Sequence, residues 1–241
     1  LGIPAALFAG ISKGGFGSGA AFASATILAL VFDPATALGV MLPLLMLIDL
    51  TSLPAYWKRW SWPDARLLLL GGVPGTILGA VFFGWANDDV IRFLIGSISV
   101  AFVLWQMAQA AGLFTIGARP LSPGAGVAAG AALGFTSFVS HAGGPVAAVY
   151  LLGRKLGKTT YQATTVVVFW IINVVKFGIY AGMGFFTVQT LTIDLVLAPF
   201  AMLGTWLGIR AHHFVPERAF FGLTYVLLLI TGSKLIWDAV F

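Results

Sequence analysis

Long apolar runs separated by short polar clusters make up almost the whole chain. The first covers 3–32 and is interrupted by Ser12-Lys13-Gly14-Gly15-Phe16-Gly17-Ser18-Gly19; the turn signal Asp33-Pro34 ends it. Uninterrupted spans are predicted at 35–57, 65–85 and 90–114. Lys58-Arg59 with Ser61-Trp62-Pro63-Asp64, and then Asn87-Asp88-Asp89, divide them. A polar linker over 115–123, with Arg119 and two prolines, leads into a second interrupted stretch at 124–153, broken near His141-Ala142-Gly143-Gly144-Pro145. Arg154-Lys155 and Lys158 close it, and further spans are predicted at 159–182, 191–210 and 218–240. The runs are too long for strands and lack period-2 alternation. At about 20 apolar residues per helical crossing, they describe an all-α polytopic membrane protein.

The two halves share one order of elements: an interrupted helix pair, crossing or re-entrant, followed by three transmembrane helices. A shift of 124 residues lays Gly10 on Gly134, Gly19 on Gly143, Asp49 on Asn173 (|i−j| 124) and Tyr56 on Tyr180. Basic residues orient the chain, because Lys and Arg collect on the cytoplasmic side. Lys58, Arg59, Arg66, Arg119, Arg154, Lys155, Lys158, Arg210 and Arg218 fall on alternate loops, taken as cytoplasmic. The loops at 33–34, 87–89 and 183–189 have only Arg92 nearby and are taken as outer. The loop after the first interrupted pair is then outside and the loop after the second inside. Two inverted-topology repeats are expected, 1–114 and 124–241, forming one integrated membrane domain around the 115–123 linker. Secondary transporters recur on this plan.

Composition agrees and narrows the class. Of 241 residues, 59% are apolar before 30 glycines are counted, 9% are charged, and mean hydropathy is +0.99. Soluble domains have about 25% charged residues. A water-soluble globule, a disordered chain and a nucleic-acid binder are excluded; the net charge of +5 is scattered along the length rather than gathered on one face. Without cysteine there is no disulfide and no thiolate metal site. The chain opens on Leu1 with neither Met nor a signal peptide, and further residues are expected ahead of it.

The interruptions carry the candidate chemistry. Non-helical backbone survives at membrane depth only where protein or a water-filled cavity surrounds it. Residues 20–31 read as a half-helix beginning inside the membrane. Gly143-Gly144-Pro145 open a second, continued through 147–152. Their free N–H groups and positive dipole ends, aimed at one point, would make an anion site. The competing explanation is that glycines merely permit close helix packing. It suits the four-residue repeats Gly71, Gly75, Gly79 and Gly126, Gly130, Gly134 better than the cluster around Lys13.

Ionisable residues inside spans are costly and face cavities or one another. Lys13 is expected to neutralise an anion or to snorkel. His141 binds substrate, carries a proton, or simply packs. Asp49 pairs with Lys13 or Lys176, or serves coupling; Lys176 pairs likewise or snorkels to the outer interface. Ser12, Ser18, Thr136, Ser137 and Ser140 can donate to oxyanion oxygens or bond their own helix backbone, and Asn173 suits either role. His212-His213 beside Arg210 suit a membrane interface, and no metal is expected. Trp57, Trp60, Trp62, Trp85 and Trp237 near span ends form an aromatic belt. No GxxxxGK[ST] loop is present, so ATP hydrolysis by this chain is excluded and no cofactor is expected.

With GISKGGFGSG in the first half, GFTSFVSHAGGPVAAVYLL in the second and KRWSWPDARLLLLGGVPGTILGA between them, the chain resembles the TauE/SafE family over essentially its whole length. It departs from that family's commoner run of three glycines, having Lys13-Gly14-Gly15-Phe16-Gly17 and Gly143-Gly144-Pro145 instead. The resemblance implies export of sulfite, an organosulfonate or a related small sulfur-containing anion across a prokaryotic inner membrane. The anion is expected between the breaks, near Ser12, Gly15, Gly17, Gly19, Ser140, Gly143 and Gly144, with Lys13 supplying charge and His141 a hydrogen bond or proton. Rocking of the repeats would give alternating access. A passive anion channel, an importer and a membrane enzyme built on Asp49, His141 and Lys13 are the alternatives. The oligomeric state is left open. The expected partners are the bilayer and the small anion.

Overall fold

A computed structural model describes residues 1–16, 21–113, 122–211 and 217–241 of the chain. The linker over 115–123 (all but its last two residues), together with Gly17, Ser18, Gly19, His212 and His213, lies outside the described residues. The elements are α1 (Gly2–Ile11), continued by a π-helical turn (Ser12–Phe16), then α2 (Phe22–Leu28) and α3 (Pro34–Ser52), which ends in a 3₁₀ turn (Leu53–Tyr56). They continue with α4 (Trp62–Trp85), α5 (Asp88–Ala110), α6 (Pro123–Ser140), α7 (Gly143–Gly153), α8 (Lys158–Gly182), α9 (Val188–Ala211) and α10 (Glu217–Val240). No strand occurs among the described residues.

Polar punctuation starts the helices by a physical route. Asp33 Oδ1 accepts from the Thr36 N–H (2.9 Å), Asn87 Oδ1 from Val90 (2.9 Å) and Ser122 Oγ from Ala125 (3.2 Å). Each satisfies a backbone donor that the first turn leaves free. Pro34, Pro63 and Pro123 sit in first turns, where the missing N–H costs nothing. Among the described residues six helices, α3, α4, α5, α8, α9 and α10, are long and apolar enough to cross a membrane, three from each half. Their outward faces carry exposed Leu70, Leu78, Leu195, Val196 and Ile230, as lipid-facing surfaces do. Trp57, Trp62, Trp85 and Trp237 are exposed at helix ends, in the aromatic-belt position.

Glycine seams set the packing. A methyl carbon on Gly134 of α6 would lie 2.7 Å from the Thr76 amide nitrogen of α4 and closer still to the Gly72 carbonyl. One on Gly10 of α1 would lie 2.6 Å from the Thr205 amide nitrogen of α9 and closer still to the Ala201 carbonyl. The two seams therefore match contact for contact. Thr76 and Thr205 match as well, donating to Gly72 O and Ala201 O at 2.8 Å each. Contacts advance along both helices together: Gly2 with Leu197, Gly10 with Ala201 and Gly15 with Gly208; Gly71 with Val127, Gly75 with Ala131 and Gly79 with Phe135. Hence α1 runs parallel to α9, and α6 to α4. Helix α5 packs antiparallel on α10, with Gly96 against Gly232 and Gln106 donating to Tyr225 at 2.7 Å.

Candidate functional site

Two helix interruptions and the facing pair α3 and α8 bring the ionisable residues together. Lys13 sits in the π-turn that prolongs α1, and a π-turn inside a helix is itself a recurrent mark of functional sites. The helix therefore continues to Phe16 where the sequence predicted a break from Ser12 onward. The half-helix expected at 20–31 is shorter, Phe22–Leu28.

The second interruption spans only His141 and Ala142. Helix α6 ends with the His141 N–H donating to Ser137 O, the bond of an αL cap, and with the Ala142 N–H donating to Thr136 O. His141 takes the left-handed position at φ 55°, which is usually glycine's and costs an L-residue about 1–2 kcal/mol. Holding a histidine there aims its ring inward. Nε2 lies 3.3 Å from Leu38 O, an atom that can only accept, so Nε2 carries the hydrogen. Nδ1 is then free to accept from Lys176 Nζ, 2.7 Å away. Lys176 Nζ also donates to Ser137 O (2.6 Å), with Ser137 Oγ at 3.4 Å. Its position at the C-terminal end of α6 is favourable for a cation.

Lys13 Nζ lies 2.5 Å from Asp49 Oδ1 and 5.9 Å from the Phe169 ring centroid. The other carboxylate oxygen, Oδ2, accepts from Asn173 Nδ2 at 3.0 Å. Asp49 and Asn173, overlaid by the 124-residue shift, thus touch one another across the two halves. Lys13, Asp49, His141, Asn173 and Lys176 are all buried, Lys176 completely, so it does not snorkel as one of its expected roles required. Beside Lys13, His141 and Asn173, with Asp49 and Lys176 one contact further out, lies a small cavity of about 20 Å³, room for about one water molecule. Lys13, Ser137, His141, Gly144 and Asn173 give it polar walls; Ala21, Leu45 and Phe169 complete it.

Other anticipated residues face elsewhere. Gly14 and Gly15 pack against Thr205 and Gly208 of α9. Ser140 and Thr136 hydroxyls bond their own helix, to Thr136 O and Ala132 O. Gly143 is walled in by Phe169, Leu133 and Ser137. Ser12 is buried in the π-turn.

The structure adds Gln162, whose Nε2 donates to Lys13 O (3.2 Å), and Tyr180, whose hydroxyl donates to Phe138 O (2.6 Å). It also adds Asp64. That carboxylate accepts from Ser61 Oγ (2.5 Å), Arg154 Nε (2.7 Å) and Tyr150 OH (3.3 Å), fastening the end of α7 to the start of α4. Basic-loop placement already put Asp64 and Arg154 at one membrane face, which was the available signal. Nothing in the sequence marks Phe169 or Gln162.

Among the described residues no group of His, Cys, Asp and Glu suits a metal ion. Buried Lys13 and His141 at a cavity, among helices long and apolar enough to cross a membrane, are the features of a polytopic membrane transport protein. The profile described as Sulfite exporter TauE/SafE matches residues 2–235, and the chain belongs to that family. No curated protein and no solved structure matches it.

Proposed function

We propose that this protein is a secondary transporter exporting sulfite, an organosulfonate or a related small sulfur-containing anion across a prokaryotic inner membrane by alternating access. The observation that carries the reading is the cavity itself. Buried Lys13 and His141 line it, Lys176 of the second half is bonded to the lining residues Ser137 and His141, and buried Asp49 is bonded to the lining residues Lys13 and Asn173. Buried charge without a partner is costly, and an anion in the cavity supplies one. Gly144, in the first turn of the eleven-residue α7, adds the positive end of a helix. Lys13 supplies charge and His141 orients its neighbour Lys176 through Nδ1.

The cavity has room for about one water, less than a sulfite or sulfonate needs, so its walls must part during transport. The matched seams support an inverted repeat with 1–114 and 124–241 as its halves. They also favour particular moving parts. Because α1 is locked to α9 and α6 to α4, each hairpin's first arm travels with a long helix of the other half. The rocking units are then these cross-half pairs, rather than the halves themselves.

Sulfite flux into proteoliposomes tests the assignment. Lys13→Ala and His141→Ala should each lower flux by at least about tenfold, equivalent to about 1.4 kcal/mol of lost interaction. Wild-type flux in both variants would refute the site.

A further inference from the structure

Two lysines and one aspartate, each ionised, leave the site with an odd charge, and the hydrogen bonds indicate how the rest of the count is made up. Asp49 is committed to Lys13 and to Asn173. Lys176 places its amine near three atoms that can accept, Ser137 O, Ser137 Oγ and His141 Nδ1, matching an ammonium's three donors; no carboxylate lies within ion-pair distance of it among the described residues. His141 is neutral by its tautomer, with hydrogen on Nε2 and an accepting Nδ1. Tyr180, whose ring centroid lies 5.6 Å from Lys176 Nζ, spends its hydroxyl hydrogen on Phe138 O and adds no charge. The C-terminal end of α6 and the N-terminal end of α7 meet at His141 with opposite partial charges, which offset one another. With both lysines as ammonium groups, the sum is one positive charge.

Resting on the anion-transport reading, we propose that the site is matched to a singly charged anion and that Asp49 is the residue that sets this selectivity. A monoanion, a sulfonate or HSO₃⁻, brings the buried cluster to neutrality. A dianion leaves an uncompensated buried charge, because Asp49 already holds the second lysine. Asp49 acts as a resident anion, occupying the place beside Lys13 that a second substrate charge would take. Unlike charge provides the discrimination, not size: sulfate and methanesulfonate are both small tetrahedral sulfur oxyanions, the first with two fixed charges and the second with one.

The test is ligand affinity measured calorimetrically on the purified full chain with methanesulfonate, sulfate and sulfite. Wild type should bind methanesulfonate at least about tenfold more tightly than sulfate, and Asp49→Asn, which keeps a polar oxygen for Asn173, should shrink that ratio by at least about tenfold. Sulfite provides a check that needs no variant. As pH rises through neutrality HSO₃⁻ gives way to SO₃²⁻, so sulfite affinity should fall relative to methanesulfonate, whose charge is constant. Equal binding of sulfate and methanesulfonate by wild type, an unchanged ratio in a folded Asp49→Asn, or a pH-independent sulfite-to-methanesulfonate ratio would each overturn the inference while leaving an anion transporter intact. Binding of none of the three anions by wild type would overturn the transport reading itself, and this inference with it.

Discussion

Gly134→Ala should damage this protein far more than one methyl group normally does. The added carbon would lie 2.7 Å from Thr76 N and closer to Gly72 O, both backbone atoms of the packed helix α4. No side chain can rotate away, so α4 and α6 must separate along their seam. Overpacking costs typically about 1–3 kcal/mol, and rigid backbone on the far side places this substitution at the top of that range. At roughly 2–4 °C per kcal/mol for a chain of this size, Tm should fall by roughly 6–12 °C. Gly10→Ala, facing Thr205 N at 2.6 Å in the matching seam, should behave alike. Gly84→Ala and Gly178→Ala are the controls: both are helical, and nothing lies within 4 Å of the new carbon. Alanine's better helix propensity should leave them neutral or more stable by about 0.5–1 kcal/mol. Differential scanning fluorimetry of the four variants in one detergent reads all the shifts. If Gly134→Ala melts with Gly84→Ala, the seam does not hold α6 on α4, and the cross-half moving units lose their basis.

Two further substitutions probe the frame around the site. Tyr180→Phe removes the hydroxyl that donates to Phe138 O in the last turn of α6, leaving a buried carbonyl without its partner; thermal denaturation should show a loss of about 1–3 kcal/mol, and an unchanged Tm would refute the role. Asp64→Ala should cost about 2 kcal/mol by releasing Ser61, Tyr150 and Arg154 at the join of α4 and α7. Because the Arg154 side chain is 33% exposed, its share should be small and shrink with added salt, so the gap from wild type should narrow in high-salt melts.

Much of this arrangement was legible in the chain for identifiable reasons. A membrane forces each crossing to be a long apolar helix, so spans are visible as runs, and the three long helices per half follow directly. Lys13, Asp49, His141 and Lys176 stood out because charge inside such runs needs a partner, and all four do gather around one cavity or its immediate neighbours. Which helix meets which was not legible. The four-residue glycine repeats of α4 and α6 announce a seam, but spacing along one helix carries no information about its partner, so the pairing of α1 with α9 appears only in three dimensions. The glycines around Lys13 misled in part. Gly14 and Gly15 serve packing on α9, and the backbone there stays helical by widening into a π-turn. Phe169 and Gln162 were invisible because an aromatic and an amide are unremarkable in and beside apolar spans.

In the proposed two-repeat plan the halves share an order of elements but not their charges, and that difference bears on transport. Asp49 meets its own counterpart, Asn173, so a carboxylate in one half is answered by a neutral amide in the other. By the same 124-residue offset, Lys13 stands where the second half has Ser137, and Lys176 where the first has Ser52. Had both halves kept both charges, the middle of the membrane would hold four lysines and two carboxylates, a dense network costly to desolvate and slow to rearrange. Dividing the charges gives each half one lysine and leaves a single carboxylate near the junction. Lys13 is held through its carbonyl by Gln162 of α8, and Lys176 through His141 by the α6–α7 tip. Lys13 is therefore tied to a long helix of the opposite half, and Lys176 to the interruption of its own half. In the proposed transporter, the Gln162 bond that crosses the halves would loosen as the walls part while the Lys176–His141 bond within the second half persists, so a bound anion would keep a cationic neighbour through the transition.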